Sequence, residues 1–132
     1  QTLEKNALDN VVFINRFLTE QEKYILVKCS RCFIFPSVEI SEAFGITQLE
    51  AMALGTPVIN TNLKSGVPWV SLDGETGLTV EPKSCEELKN ALRDILNNDA
   101  LLDAYSKAAI VRVDKYFDDS VVFDRLGGII CE

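Results

Sequence analysis

The sequence predicts an α/β domain built on a parallel sheet, on three observations. Short apolar runs at residues 11–14, 32–35, 57–60 and 78–80 have the length of buried strands. Stretches with helical spacing fall between the first three of them and follow the last. Gly, Pro and helix-capping residues punctuate the boundaries. Strands alternating with helices require crossover connections, and these place strands parallel with helices against the sheet.

In chain order, residues 1–10 are expected to end a helix and residues 11–14 to form a short buried strand. Thr19 and Glu22 fit a capping box, after which Ile25, Leu26 and Cys29 keep helical spacing up to the strand at 32–35. Pro36 and Ser37 turn that strand into a loop. Thr47 and Glu50 fit a second capping box, so a helix start is expected near Thr47. Gly55 and Pro57 stop this helix and the next parallel strand follows. Residues 60–77 read as loop, with Ser65, Gly66, Pro68, Asp73, Gly74 and Gly77 in close succession. After the strand at 78–80, Ser84 with Glu87 opens an amphipathic helix carrying Leu88, Leu92, Ile95 and Leu96, and Leu101, Tyr105, Ala108 and Val111 mark another. Both are expected to cover the core. Asn97, Asn98 and Asp99, like Asp118 and Asp119, suit helix boundaries better than metal ligation. Residues 121–130 are apolar enough to pack as a helix, or as an irregular tail where Gly127 and Gly128 interrupt them.

With 132 residues, 47% hydrophobic and 25% charged, a mean hydropathy of +0.10 and a net charge of −7, the chain suits one globular domain at most. No basic and apolar leader is visible, and no apolar run approaches the roughly 18 residues that a bilayer crossing needs. A cytoplasmic location is therefore expected. The acidic balance argues against nucleic acid as the main partner, because backbone phosphates demand clustered Lys and Arg. Any phosphate must instead be bound by local amides. Cys29 and Cys32 have the spacing of half a zinc site, yet the chain has no histidine and no second close cysteine pair among its 4 cysteines. They read as reduced thiols near a strand start, and no metal is implied.

The chemistry concentrates between Ser41 and Pro57. A loop leaving a parallel strand delivers the chain to a helix whose first amides are unpaired and partially positive. Such an end holds anions, above all phosphate. Gly45, without a Cβ, lets the backbone approach a ligand. Glu42 in the loop and Glu50 on the first helical turn can both accept hydrogen bonds from hydroxyl groups. A phosphate beside a polyol suggests a sugar nucleotide. The same residues also admit a plainer role: Glu50 as a cap, Glu42 as a solvated loop charge, Phe44 as core. Ser65 and Gly66 lie in a loop that follows a parallel strand, on the side of the sheet where ligands bind. They either approach the ligand or serve turn chemistry, and Trp69 either stacks on a ring or packs.

The run from Glu42 through Phe44, Gly45, Ile46, Thr47 and Glu50 to Gly55 and Pro57 resembles the motif of retaining GT-B-fold glycosyltransferases of family four, which carry two glutamates separated by seven residues. That resemblance implies a partial Rossmann-like, doubly wound parallel sheet, the second domain of a GT-B fold, with residues 1–132 forming a partial donor-binding domain. It further implies that the first domain, which binds acceptor, and the opening strands of the second are missing. In the family's order those strands lie between the runs at 11–14 and 32–35. The chain is then expected to pair the two runs directly or to exchange elements with a second copy through exposed sheet edges.

By the same resemblance Glu42 is the catalytic carboxylate, touching donor-sugar hydroxyls and the developing positive charge at the anomeric carbon. Phe44, Gly45, Ile46 and Thr47 hold sugar and diphosphate through their amides, and Glu50 takes the ribose hydroxyls. Ser65 and Gly66 approach the donor. No cofactor and no metal are implied, and retention from the donor's front face needs no side-chain nucleophile. The stretch from Asn60 to Val70 resembles bacterial transferases that build O-antigen or capsule on a lipid-diphosphate carrier, although Pro68 and Trp69 stand where many relatives have Pro-Glu. The implied donor is a UDP sugar, less so a GDP sugar. The implied acceptor is a lipid-linked saccharide, met at the inner face of the plasma membrane. A nucleotide-sugar-binding module without catalysis, or a domain like that of a sugar-nucleotide epimerase, would use the same fold and phosphate site.

Overall fold

The computed structural model describes residues 11–117. Its elements in order are α1 (Glu20–Lys28), β1 (Phe33–Phe35), α2 (Ile46–Ala53), β2 (Val58–Thr61), α3 (Val67–Val70), β3 (Gly77–Val80), α4 (Cys85–Leu96) and α5 (Asp99–Tyr116). The three strands form one parallel sheet in the order β1-β2-β3, with Phe33 opposite Val58 and Val58 opposite Gly77. The doubly wound α/β architecture expected from the sequence is the one found.

Strand periodicity explains the layering, since alternate side chains of β2 point to opposite faces. On one face Val58 packs with Ala51 and Met52 of α2, Val70 of α3 and Ala109 of α5. On the other, Ile59 packs with Val80, with Ala91 and Ile95 of α4, and with Tyr105 of α5. All four β2 residues are buried, as a central parallel strand covered on both sides requires. Burying a side chain such as Met52 or Ile59 contributes about 1.5–3 kcal/mol.

Most helix boundaries follow the expected caps. Thr19 accepts from the Glu22 amide while the Glu22 carboxylate accepts from the Thr19 amide, a complete capping box. Arg16 donates to both oxygens of Glu22, at 2.9 and 2.7 Å, and with the Thr19 amide holds that carboxyl well below its ordinary value, at about 2. Ser84 accepts from the Glu87 amide at 3.3 Å, but the Glu87 carboxylate reaches the Glu81 amide instead of closing the box. Asn97 ends α4, and the Asn98 side chain caps α5 by accepting from Leu101 at 3.0 Å. The run Asn97, Asn98 and Asp99 is therefore a helix boundary.

Residues 60–77, expected as loop, contain the short helix α3, whose first turn takes Pro68. Two further expectations are corrected. Residues 11–14 form no strand, and Val12 and Phe13 are exposed. A strand exists only where a neighbour completes its ladder, and among the described residues β1 pairs with β2 alone, so the direct pairing of 11–14 with β1 is absent. The second concerns Thr47 and Glu50, which form no capping box. α2 begins one residue earlier than expected, with Gly45 at its N-cap and no side-chain capping bond. The expected helix end at 1–10, the boundary at Asp118 and Asp119 and the segment 121–130 lie outside the described residues.

Inside the sheet's α2 face sits a polar knot. The Asn60 side-chain amide, on a residue 1% exposed, donates to the carbonyls of Val67 and Ser71 at 3.0 and 3.1 Å and to the Gln48 side-chain oxygen at 3.2 Å. Its oxygen accepts from the Thr79 hydroxyl at 2.7 Å. Gln48, also fully buried, donates in turn to the carbonyls of Phe44 and Val67 at 2.7 and 3.1 Å. β2 thereby fixes the loop before α2 and both ends of α3.

Two measurements test this construction. Asn60→Leu leaves the Val67 and Ser71 carbonyls and the Gln48 oxygen short of donors in a dry site, so chemical denaturation should show a loss of about 3 kcal/mol; a loss below about 0.5 kcal/mol would mean that the knot contributes nothing. Gly77→Ala would place a Cβ 1.9 Å from the Val58 carbonyl oxygen, which is backbone and cannot give way without opening the β2–β3 ladder. That variant should lower stability by about 2 kcal/mol or more in the same assay.

Candidate functional site

β1 ends at Phe35, and the chain then crosses the carboxyl edge of the sheet to α2. In an open parallel sheet this edge is where ligands bind. The crossing is anchored by the Thr61 hydroxyl, which donates to the Ser37 carbonyl at 2.5 Å, and by a turn in which the Glu42 amide donates to the Glu39 carbonyl at 3.1 Å.

Glu42 then folds back along its own loop. Its Oε1 accepts from the Gly45 amide at 3.1 Å, and the carboxylate is partly buried. Gly45 itself has φ +73, and a Cβ there would lie 2.8 Å from the Phe35 ring. The glycine serves backbone conformation and packing against Phe35. The space expected for a ligand beside its missing Cβ is filled by that ring and by the Gln48 amide.

Past Gly45 the backbone is open. Ile46 and Thr47 have exposed side chains, and their amides have no hydrogen-bond partner among the described residues. They are the first two donors of α2, an eight-residue helix, at the positive end of its dipole. Glu50 stands one turn further on. Its Oε1 accepts from the Lys23 ammonium at 3.1 Å, so it pairs with a cation on α1 instead of capping its own helix. The Lys23 ammonium is also paired with Glu20, which chiefly, and with Glu50 second, raises its pKa.

The loop after β2 meets this turn directly. The Gly66 amide donates to the Ala43 carbonyl at 2.8 Å, and a Cβ on Gly66 would lie 2.7 Å from that oxygen. Gly66 thus locks two loops together with its own amide. The Ser65 hydroxyl accepts from the Val67 amide at 3.3 Å and remains half-buried at the loop's surface. The Phe44 ring lies against Gly66 and packs 6.1 Å from Trp69 and 5.8 Å from Phe117, centroid to centroid. Trp69 accordingly packs, with Arg112 over its ring and donating to the Trp69 and Val70 carbonyls.

Glu42, Gly45, Ile46, Thr47 and Glu50 are therefore consecutive parts of one helix entrance, and Gly66 with Ser65 forms its neighbour. Phe44 contributes backbone only. The arrangement can hold an anion at the Ile46 and Thr47 amides and can receive hydroxyl groups on carboxylates at either side. Sequence reasoning missed Lys23, Gln48 and Asn60. Asn60 carried a signal, being an amide in the middle of a buried apolar strand, where a polar side chain needs several partners. Lys23 had none, because its partner Glu50 is 27 positions away.

Cys29 is exposed and Cys32 half-buried, with burial pushing the Cys32 thiol up. No group of three or more Asp, Glu, Cys or His able to hold a metal ion lies among the described residues. Among them, too, no helix is long and apolar enough to cross a membrane.

Comparison with known proteins bears on the family of the chain. The chain is 31% identical over 121 residues to an O-antigen chain mannosyltransferase C of Escherichia coli, an alignment covering 92% of this chain and 32% of that protein. It is 26% identical to the capsular polysaccharide biosynthesis glycosyltransferase CapM of Staphylococcus aureus, covering 92% of this chain and 33% of that one. Among solved structures it superposes on the C-terminal domain of a glycosyl transferase group 1 family protein (LpcC) of Francisella tularensis with a TM-score of 0.71, at 27% identity over 81% of this chain and 53% of that one. The chain spans about a third of the length of the two curated relatives. The family model described as glycosyl transferases group 1 matches residues 1–112, and with the GT-B-type half-domain and helix entrance described above the chain belongs to that family of glycosyltransferases.

Proposed function

We propose that this chain is the donor-binding part of a retaining glycosyltransferase that moves a hexose or N-acetylhexosamine from a UDP sugar to a lipid-linked saccharide in bacterial surface-polysaccharide synthesis. The observation that carries the reading is the pair of unbonded amides at Ile46 and Thr47, flanked by the carboxylates of Glu42 and Glu50. The O-antigen and capsule relatives support the polysaccharide assignment.

The chemistry follows from charge. Breaking the bond between the anomeric carbon and the diphosphate leaves negative charge on phosphate and positive charge on the sugar. The α2 N-terminus stabilises the first without a metal ion, since its amides are fixed before the bond breaks. Glu42 stabilises the second and receives sugar hydroxyls. Its bond to the Gly45 amide holds the carboxylate at the rim of the anion site, close enough to serve both sugar and turn. Glu50 receives the ribose. The incoming hydroxyl attacks from the face that the diphosphate leaves, so configuration is retained with no enzyme nucleophile. Acceptor and a first domain would close over the carboxyl edge, and the work would be done at the cytoplasmic face of the membrane. A second reading, a module that binds nucleotide sugar without turnover, would use the same unbonded amides at Ile46 and Thr47.

An amide NMR titration of the 132-residue chain with UDP should shift Phe44 to Thr47 and Glu50 first; shifts spread evenly or confined elsewhere would remove the helix entrance as donor site. Turnover separates the two readings. In a protein carrying this chain with the remaining length of its relatives, Glu42→Gln keeps an acceptor for the Gly45 amide and deletes the charge. It should lower kcat about a hundredfold or more. Unchanged kcat would deny Glu42 its catalytic role.

A further inference from the structure

We propose that Lys23 is a positioning residue for Glu50, orienting that carboxylate toward the ribose of the nucleotide and neutralising it beside the diphosphate; the inference rests on the nucleotide-sugar reading above. Lys23 lies in the first turn of α1, behind the Thr19 cap, and its ammonium is 3.1 Å from Glu50 Oε1 and 2.9 Å from Glu20 Oε2. The Lys23 side chain is 32% exposed and that of Glu50 34%, so the pair lies half-buried at the junction of the two helices.

What fixes the pair is the docking of α1. The Thr56 hydroxyl donates to the Val27 carbonyl at 2.9 Å, and the Lys28 ammonium donates to the Leu54 carbonyl at 2.6 Å. These two bonds hold the C-terminal half of α1 against the C-terminal end of α2 and its turn. Lys23, one turn or more earlier on α1, is then carried to the level of Glu50, one turn before Leu54. An apolar slot of about 70 Å³ lined by Tyr24, Val27, Phe33, Thr47 and Leu54 opens between the two helices beside the ion pair.

The consequence for a ligand is geometric and electrostatic. Only one Glu50 oxygen is engaged, and Oε2 has no partner among the described residues. That oxygen is free to accept from a ribose hydroxyl while Lys23 holds the other. Without the ammonium, the carboxylate would be both less ordered and a bare negative charge one turn from the phosphate-binding amides, where it opposes the ligand. Lys23 therefore acts on recognition of the sugar of the nucleotide and not on bond cleavage.

The test compares UDP with 2′-deoxy-UDP by calorimetric titration of the 132-residue chain, in wild type, Lys23→Met, Lys23→Arg and Glu50→Gln. Lys23→Met should weaken UDP about fivefold and 2′-deoxy-UDP less, so that the ratio of the two dissociation constants falls toward one, whereas Lys23→Arg keeps most of the ratio. A Lys23→Met chain that loses affinity for both nucleotides equally overturns the positioning role and leaves Lys23 a charge beside the diphosphate; loss for neither overturns the inference whole and makes the pair a packing contact. Glu50→Gln reports on the reading beneath it. If that variant leaves the ratio unchanged, or if the wild-type chain binds neither nucleotide, the ribose role of Glu50 falls and Lys23 falls with it. If it collapses the ratio while Lys23→Met does not, only the role of Lys23 is lost.

Discussion

The side-chain amide of Asn60 holds the working edge of this domain in place. It sits at the centre of β2, in a face otherwise filled by Val58, Met52 and Val70, where an unsatisfied polar group would cost about 1–3 kcal/mol. Every one of its polar atoms is satisfied, and its four partners belong to three elements: Val67 and Ser71 bound α3, Gln48 belongs to α2, and Thr79 lies on β3. Because Gln48 continues the chain of bonds to the Phe44 carbonyl, the position of the helix entrance is set from inside the core. A loop placed this way does not need long secondary structure around it. Its geometry is inherited from the strand.

On that frame, a chain of net charge −7 presents a place for an anion. The two facts are compatible because the attraction is local: backbone dipoles at the α2 entrance act over a turn of helix, while side-chain charges further off are screened by salt. The carboxylates nearest the entrance are each tied to a donor of the protein, Glu42 to the Gly45 amide and Glu50 to Lys23, so neither projects freely into the space a phosphate would take. Gly66 contributes by bonding Ala43, which makes the loops on either side of the entrance a single unit.

Sequence legibility followed the range of the interactions involved. Thr19 with Glu22, Ser84 with Glu87, and Asn98 with Leu101 are bonds within four residues; spacing announced the first two, and residue type marked Asn98 as a helix boundary. β2 was legible from the apolar pair Val58 and Ile59 entering directly after the Gly55–Pro57 stop. Thr47 and Glu50 had the same local pattern as the true caps but failed, because Gly45 adopts a left-handed conformation and tertiary pairing with Lys23 claims the carboxylate. Residues 11–14 looked like a strand because apolar β-formers do, yet a strand is a relation between two segments, and the described chain supplies no neighbour. The partners of Lys23, Gln48 and Asn60 were not legible for the same reason: they lie in distant parts of the chain, and only Asn60, an amide in a buried strand, signalled that it needed them.

The bare outer side of β1 affects how the molecule behaves in a tube. Among the described residues it offers unpaired backbone groups beside a half-exposed Ile34, and Val12, Phe13 and Phe17 stand out in solvent nearby in sequence. Such a border is adhesive toward its own kind. Mutual repulsion from an excess of seven negative charges opposes that pairing, and it fades beyond about 10 Å at 0.1 M salt. Colloidal behaviour is thereby handed to the buffer: dilute electrolyte favours dispersed molecules, and concentrated electrolyte lets the borders find each other.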